Sequence, residues 1–159
     1  MFKNTIFRRM TALVLTLALA AAAALPGLAV YPMPIQTASE TEAVYLFNAD
    51  TGKTILNQNA GQQQYVASLT KLMTALLLLE SGKDLNGEVT VPTALTQEFR
   101  DIQNANGTTI GLRIGETVRR IDLLNAMLIV SANDAASVIA YDVGGSVLDF
   151  VKQMNARAQ

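Results

Sequence analysis

The stretch Tyr65–Gly82, "YVASLTKLMTALLLLESG", decides how the rest of the chain is read. It sets Ser68 and Lys71 three residues apart, at the start of an apolar block of Leu69, Leu72, Met73, Leu76, Leu77, Leu78 and Leu79. The pattern predicts a helix from about Val66 to Ser81, with Gly82 as its stop. A helix this apolar is expected to be buried, and burying an ammonium without a partner costs heavily. Residues i and i+3 share a helix face, so the Ser68 hydroxyl and the Lys71 amine are expected within reach of each other. The helix N-terminus favours an alkoxide at Ser68. Apolar surroundings push Lys71 toward the free amine that a general base requires. The plainer alternative is a capping residue followed by a lysine that reaches for solvent. Ser-x-x-Lys alone is too short to decide.

The rest of the composition narrows the choice. The 159 residues contain no His and no Cys. A Ser-His-Asp triad therefore cannot be assembled, and neither can a thiol nucleophile, a disulfide or a thiolate metal site. An activated serine must use another base, for which lysine is the obvious candidate. Beyond Arg119 and Arg120 there is no basic stripe, so nucleic-acid binding lacks an electrostatic footprint.

The N-terminus reads as an export signal. Lys3, Arg8 and Arg9 precede an uncharged run from Met10 to Leu25, and Pro26, Gly27, Leu28 and Ala29 close it with small residues. Residues 1–29 are thus expected to be a signal peptide cut near Ala29, with an uncleaved membrane anchor as the alternative. No Cys follows the run, which excludes a lipid-anchored lipoprotein. Loss of those three cations from the twelve leaves nine basic and thirteen acidic side chains, a net charge of −4. Residues 30–42, with two prolines and no periodicity, read as a linker.

Residues 43–159 are expected to form the domain. Val44 to Phe47 and Thr54 to Leu56 flank an Asn-Ala-Asp-Thr-Gly turn, which predicts a β-hairpin. Gly52-Lys53-Thr54 resembles the end of a phosphate loop, but that motif needs glycine where Phe47 stands, so a turn is expected. Residues 57–64 read as loop. Residues 88–118 read as short β-prone pieces broken by Pro92, Gly107, Gly111 and Gly115. A helix is expected from about Arg120, with Leu123, Leu124, Met127, Leu128 and Val130 on its apolar face. A second runs to Gly144-Gly145, and a last one has Val147, Phe150, Val151 and Met154 inward. One hairpin is marginal in water, so strands that pair with it are expected beyond Gln159.

"SAND" places Ser131 and Asn133 at the junction of two helical patterns, where a cap is the simplest reading. Together with Ser68-x-x-Lys71 upstream, however, it gives the S-x-x-K and S-x-N pair found in penicillin-binding proteins and class A β-lactamases. "ASLTKLMTALLLLESG", "NGTTIGLRIGETV" and "VSANDAASVIA", with "NADTGKTIL" and "MNARAQ" in matching order, resemble the D-alanyl-D-alanine carboxypeptidases, the low-molecular-mass penicillin-binding proteins. The resemblance covers about residues 43–159. It implies an α/β (α+β) chain with a β-lactamase/transpeptidase-like fold, here an N-terminal hairpin plus a helical region without the C-terminal strands.

The resemblance also implies roles. Ser68 would be the nucleophile toward the penultimate D-alanine of a peptidoglycan pentapeptide ending in D-Ala-D-Ala, and Lys71 would take its proton. Ser131 would relay a proton to the leaving amine, Asn133 would hold the substrate amide, and the Ser68 N–H would give half of an oxyanion hole. β-Lactams would acylate the same serine, and no metal or organic cofactor would be needed. The enzyme would be exported, with possible membrane association. Three features depart from the family pattern. K-T-G is absent, which implies the N-terminal part of such an enzyme. Arg119-Arg120 stands where a good N-cap and an apolar residue are usual. The family's C-terminal strands and its C-terminal membrane-binding helix are missing as well. A β-lactamase is the enzymatic alternative, but no Glu follows Glu116 to serve as the deacylating base of the class A enzymes. A non-catalytic envelope protein of the same fold is the remaining alternative.

Overall fold

The structure is a computed structural model that describes residues 39–159; the expected signal segment and residues 30–38 of the expected linker lie outside the described residues. The chain divides into two compact units, Met1–Gln62 and Gln63–Gln159.

The described part of the first unit is the hairpin. β1 (Val44–Asn48) pairs antiparallel with β2 (Lys53–Gln58), and the register shifts between Leu46 and Phe47. Asn48 builds the turn: its side-chain oxygen accepts from the Thr51 N–H at 2.9 Å and its carbonyl from the Gly52 N–H at 2.9 Å. Gly52 has φ +69, the left-handed conformation that glycine adopts without a Cβ penalty. The expected loop at 57–64 therefore starts two residues late, because Asn57 and Gln58 still belong to β2. Gln58 and Asn59 also donate to the carbonyls of Ser39, Glu40 and Glu42, which holds the end of the expected linker against the strand.

The second unit is mainly helical. A 3-10 turn (Ala67–Leu69) leads into α1 (Thr70–Glu80), so the expected helix is present but its first turn is tighter than an α-helix. Gly82 ends it with φ +71. β3 (Glu88–Thr90) pairs antiparallel with β4 (Thr117–Arg119), Val89 opposite Val118. Between them runs α2 (Thr96–Asn104), a helix in a region expected to hold only β-prone pieces. Leu95, Phe99 and Ile102 supply its helical period. The β-prone Thr and Val residues and the glycines on either side mask that spacing in the sequence.

α3 (Arg120–Ile129), α4 (Asn133–Gly144) and α5 (Val147–Arg157) complete the unit. α4 is central, packed on α1, α3 and α5. Its Ala135, Val138 and Ile139 join Ala75 and Leu78 of α1, Leu123, Leu124 and Met127 of α3, and Val91 and Leu95 in one buried core. Gly145, at φ +76, ends α4 and lets the chain reverse into α5, where Ser146 caps Asp149 N–H at 3.0 Å. Phe150 is buried; burial of a side chain that size stabilises by about 1.5–3 kcal/mol.

Some faces differ from expectation. Leu128 and Val130 of the α3 end and Val151 of α5 are exposed, as are Leu69, Leu72 and Leu79 of the apolar block at the start of the reading. α1 buries Thr74, Ala75 and Leu78 on one side only. Among the described residues no helix is long and apolar enough to cross a membrane.

Candidate active site

Ser68 sits in the 3-10 turn that opens α1, directly after Ala67, whose φ is +46. Lys71 lies in the first turn of the α-helix, half-buried, with its Nζ 3.4 Å from Ser68 Oγ. That separation is long for a hydrogen bond. Burial pushes the Lys71 amine below its ordinary value of 10.5. The chain thus lowers the cost of holding an ammonium there by favouring its neutral form.

Ser131 and Asn133 arrive from the link between α3 and α4. Ser131 has φ +61, a conformation that costs a non-glycine residue roughly 1–2 kcal/mol. The turn it makes brings its Oγ to 2.8 Å from Ser68 Oγ. Asn133 is the first residue of α4, and its Oδ1 accepts from Lys71 Nζ at 2.8 Å. All four residues singled out in the sequence therefore meet, although more than sixty positions separate the two pairs. The cap reading of "SAND" is not what the backbone does: α4 begins without a side-chain cap hydrogen bond.

The arrangement contains two hydroxyls, one amine of depressed basicity and one amide. Such a set can supply a serine nucleophile, a lysine base and a second hydroxyl for proton transfer. Among the described residues Lys71 makes no ion pair, so its altered basicity comes from burial rather than from a neighbouring charge.

Residues 32–159 match the family described as D-alanyl-D-alanine carboxypeptidase, peptidase S11. The chain belongs to this family. Within the carboxypeptidase family it is 32% identical over 127 residues to the D-alanyl-D-alanine carboxypeptidase DacF of Bacillus subtilis, covering 78% of this chain and 31% of that one. It is 34% identical over 126 residues to the D-alanyl-D-alanine endopeptidase of Pseudomonas aeruginosa, covering 79% of this chain and 39% of that one. Among solved structures it resembles the Streptomyces K15 DD-transpeptidase, with TM-score 0.63 and 29% identity over 72% of this chain and 45% of that one. The chain spans about a third of the length of the curated carboxypeptidase relatives it matches. Its described residues carry a mixed α/β part of the transpeptidase-like fold, with two small sheets and five α-helices.

One residue of this region escaped the sequence reading. Asp134 is 2% exposed and sits beside the cluster at the start of α4. The signal was available. Asp134, Val138 and Asp142 fall four apart on one helix face, and a carboxylate on a buried face demands partners. Asp142 finds them in Arg120, whose Nε and Nη2 donate at 2.7 and 3.0 Å. Asp134 finds them in backbone.

Proposed function

We propose that the protein is, or forms part of, a serine-type D-Ala-D-Ala carboxypeptidase acting on peptidoglycan stem peptides. The observation that carries this reading is the convergence of Ser68, Lys71, Ser131 and Asn133 through contacts of 2.8 to 3.4 Å. Lys71, as free amine, takes the proton from Ser68 Oγ while that oxygen bonds to the carbonyl carbon of the penultimate D-alanine. Collapse of the tetrahedral species breaks the C–N bond, and Ser131 passes a proton to the departing D-alanine amine. Water then cleaves the acyl ester and restores Ser68. Asn133 holds Lys71 through Oδ1 and offers its remaining N–H to the substrate amide, while the Ser68 backbone N–H faces the oxyanion. A β-lactam would enter by the same attack and remain as a penicilloyl ester. Export through the segment 1–29, and residence in the cell envelope with possible membrane association, fit a substrate that lies outside the cytoplasmic membrane.

A fluorescent penicillin tests this directly. The protein is expected to carry one covalent label, lost in Ser68→Ala and reduced at least about a hundredfold in rate in Lys71→Arg, because a guanidinium stays protonated. Labelling of Ser68→Ala at wild-type stoichiometry would remove Ser68 from the role. Rapid loss of label with turnover of the drug would indicate a β-lactamase instead.

A further inference from the structure

Asp134 grips a loop. Its carboxylate accepts the Ile110 N–H at 3.2 Å to each oxygen, the Gly111 and Leu112 N–H groups at 3.0 Å each, and the Ala135 N–H at 2.9 Å. Just upstream, the Thr108 carbonyl accepts from Asn133 twice, from its backbone N–H at 2.8 Å and from Nδ2 at 3.1 Å. Gly107 closes on the same amide: a Cβ there would lie 3.0 Å from Asn133 Nδ2 and 2.9 Å from Ile102 Cγ2. An amide whose NH2 end is committed to a carbonyl can turn only one way, and its oxygen must face the other side. There Lys71 Nζ lies 2.8 Å away.

We propose that the loop 107–112, clamped by Asp134, fixes the orientation of the Asn133 amide and through it the protonation and aim of Lys71. Asp134 and Gly107 are thereby positioning residues, and the proposal rests on the reading of Lys71 as the base. An amide oxygen accepting from Lys71 stabilises its protonated form. In the free amine it occupies one N–H, which leaves the lone pair to be directed at Ser68 Oγ. A flipped amide would present NH2 to the amine, disfavour the ammonium and lose that aim. The groups facing Lys71 are the Ser68 hydroxyl on its own turn and Asn133 from α4, with the Ser131 hydroxyl one contact further on. Among the described residues no charged side chain pairs with it, and the amide oxygen is the nearer of its two polar contacts, 2.8 Å against 3.4 Å.

The test follows the Lys71 Cε resonance through a pH titration of the full chain labelled with 13C-lysine, assigned by its absence in Lys71→Arg. Gly107→Ala keeps the Asp134 charge and requires no positive φ, and the neighbour it presses hardest is the Ile102 side chain, which can yield. It is expected to lower the Lys71 midpoint by about half a pH unit or more. Asp134→Asn is expected to lower it at least as far, since it loosens the clamp on the whole loop. A folded Gly107→Ala protein with an unmoved Lys71 midpoint would overturn the proposal, whatever Asp134→Asn does to the fold. Absence of penicillin labelling at Ser68 would instead defeat the catalytic reading, and the Lys71 titration would remain readable.

Discussion

Lys71 answers the question its own sequence raises. The half-buried position that penalises its charge is the property a base requires, and that burial lowers its pKa below 10.5. Acylation of Ser68 should accordingly rise with pH, with an apparent midpoint below the ordinary lysine value, as measured by the rate of penicillin labelling. The same shift has a folding consequence of defined sign. Between the lowered value and 10.5 the unfolded chain binds more protons at Lys71 than the folded chain does. Stability from this group therefore rises as pH increases through that window, and the cost of burial is felt in full below it. The flanking backbone is also under load, with Ala67 at φ +46 and Ser131 at φ +61, the pattern expected where geometry serves chemistry rather than stability.

Among the elements, α3 shows how a missing cap is compensated. The helix starts after Arg119 with no side-chain cap, and the two arginines turn to other tasks. Arg119 forks onto exposed Asp122 at 2.8 and 3.0 Å, a contact of small value in water. Arg120 instead reaches α4, where it and Asp142 are only 14% and 10% exposed. Burial alone would raise the Asp142 carboxyl, but the Arg120 hydrogen bonds and charge, with Lys83 adding less, hold it below its ordinary range. Replacement of Arg120 by Met should therefore cost about 2 kcal/mol in urea unfolding at neutral pH, since Asp142 would keep only Lys83 at 3.5 Å. That stabilisation is present above the ordinary carboxylate pKa and is lost as pH falls through the lowered one, so the variant should differ least from wild type in acid. The site residues were legible because S-x-x-K reads as one helix face and "SAND" as a junction. The α2 helix was obscured because Thr and Val on either side advertise strand. The Asp134 clamp was obscured because its partners are backbone N–H groups, which carry no letter in a sequence.

For the molecule as a whole, the apolar content of α1 is only partly spent on the core. Leu69, Leu72 and Leu79 lie on one face with half-buried Leu76 between them, and Ile129 and Val130 of the α3 end are exposed as well. Leu72→Gln should change stability by no more than about 0.5 kcal/mol, and it should reduce both dye binding and precipitation of the isolated chain. A large loss of stability on that change would show that the face is covered in solution. The family resemblance extends over most of this chain but under half of the solved Streptomyces relative, so the order of motifs was readable where the surroundings of these leucines were not. The burial that lowers Lys71's basicity carries a last consequence, one of ionic strength. Dissolved salt screens charge from charge, with a Debye length that shrinks from about 10 Å at 0.1 M to about 3 Å at 1 M. It does little to a penalty that arises from lost hydration. Potassium chloride should thus weaken surface pairs such as Lys152 with Asp149 while the labelling rate of Ser68 by a neutral β-lactam stays nearly flat, the outcome expected of a base tuned by dryness and not by a counter-ion.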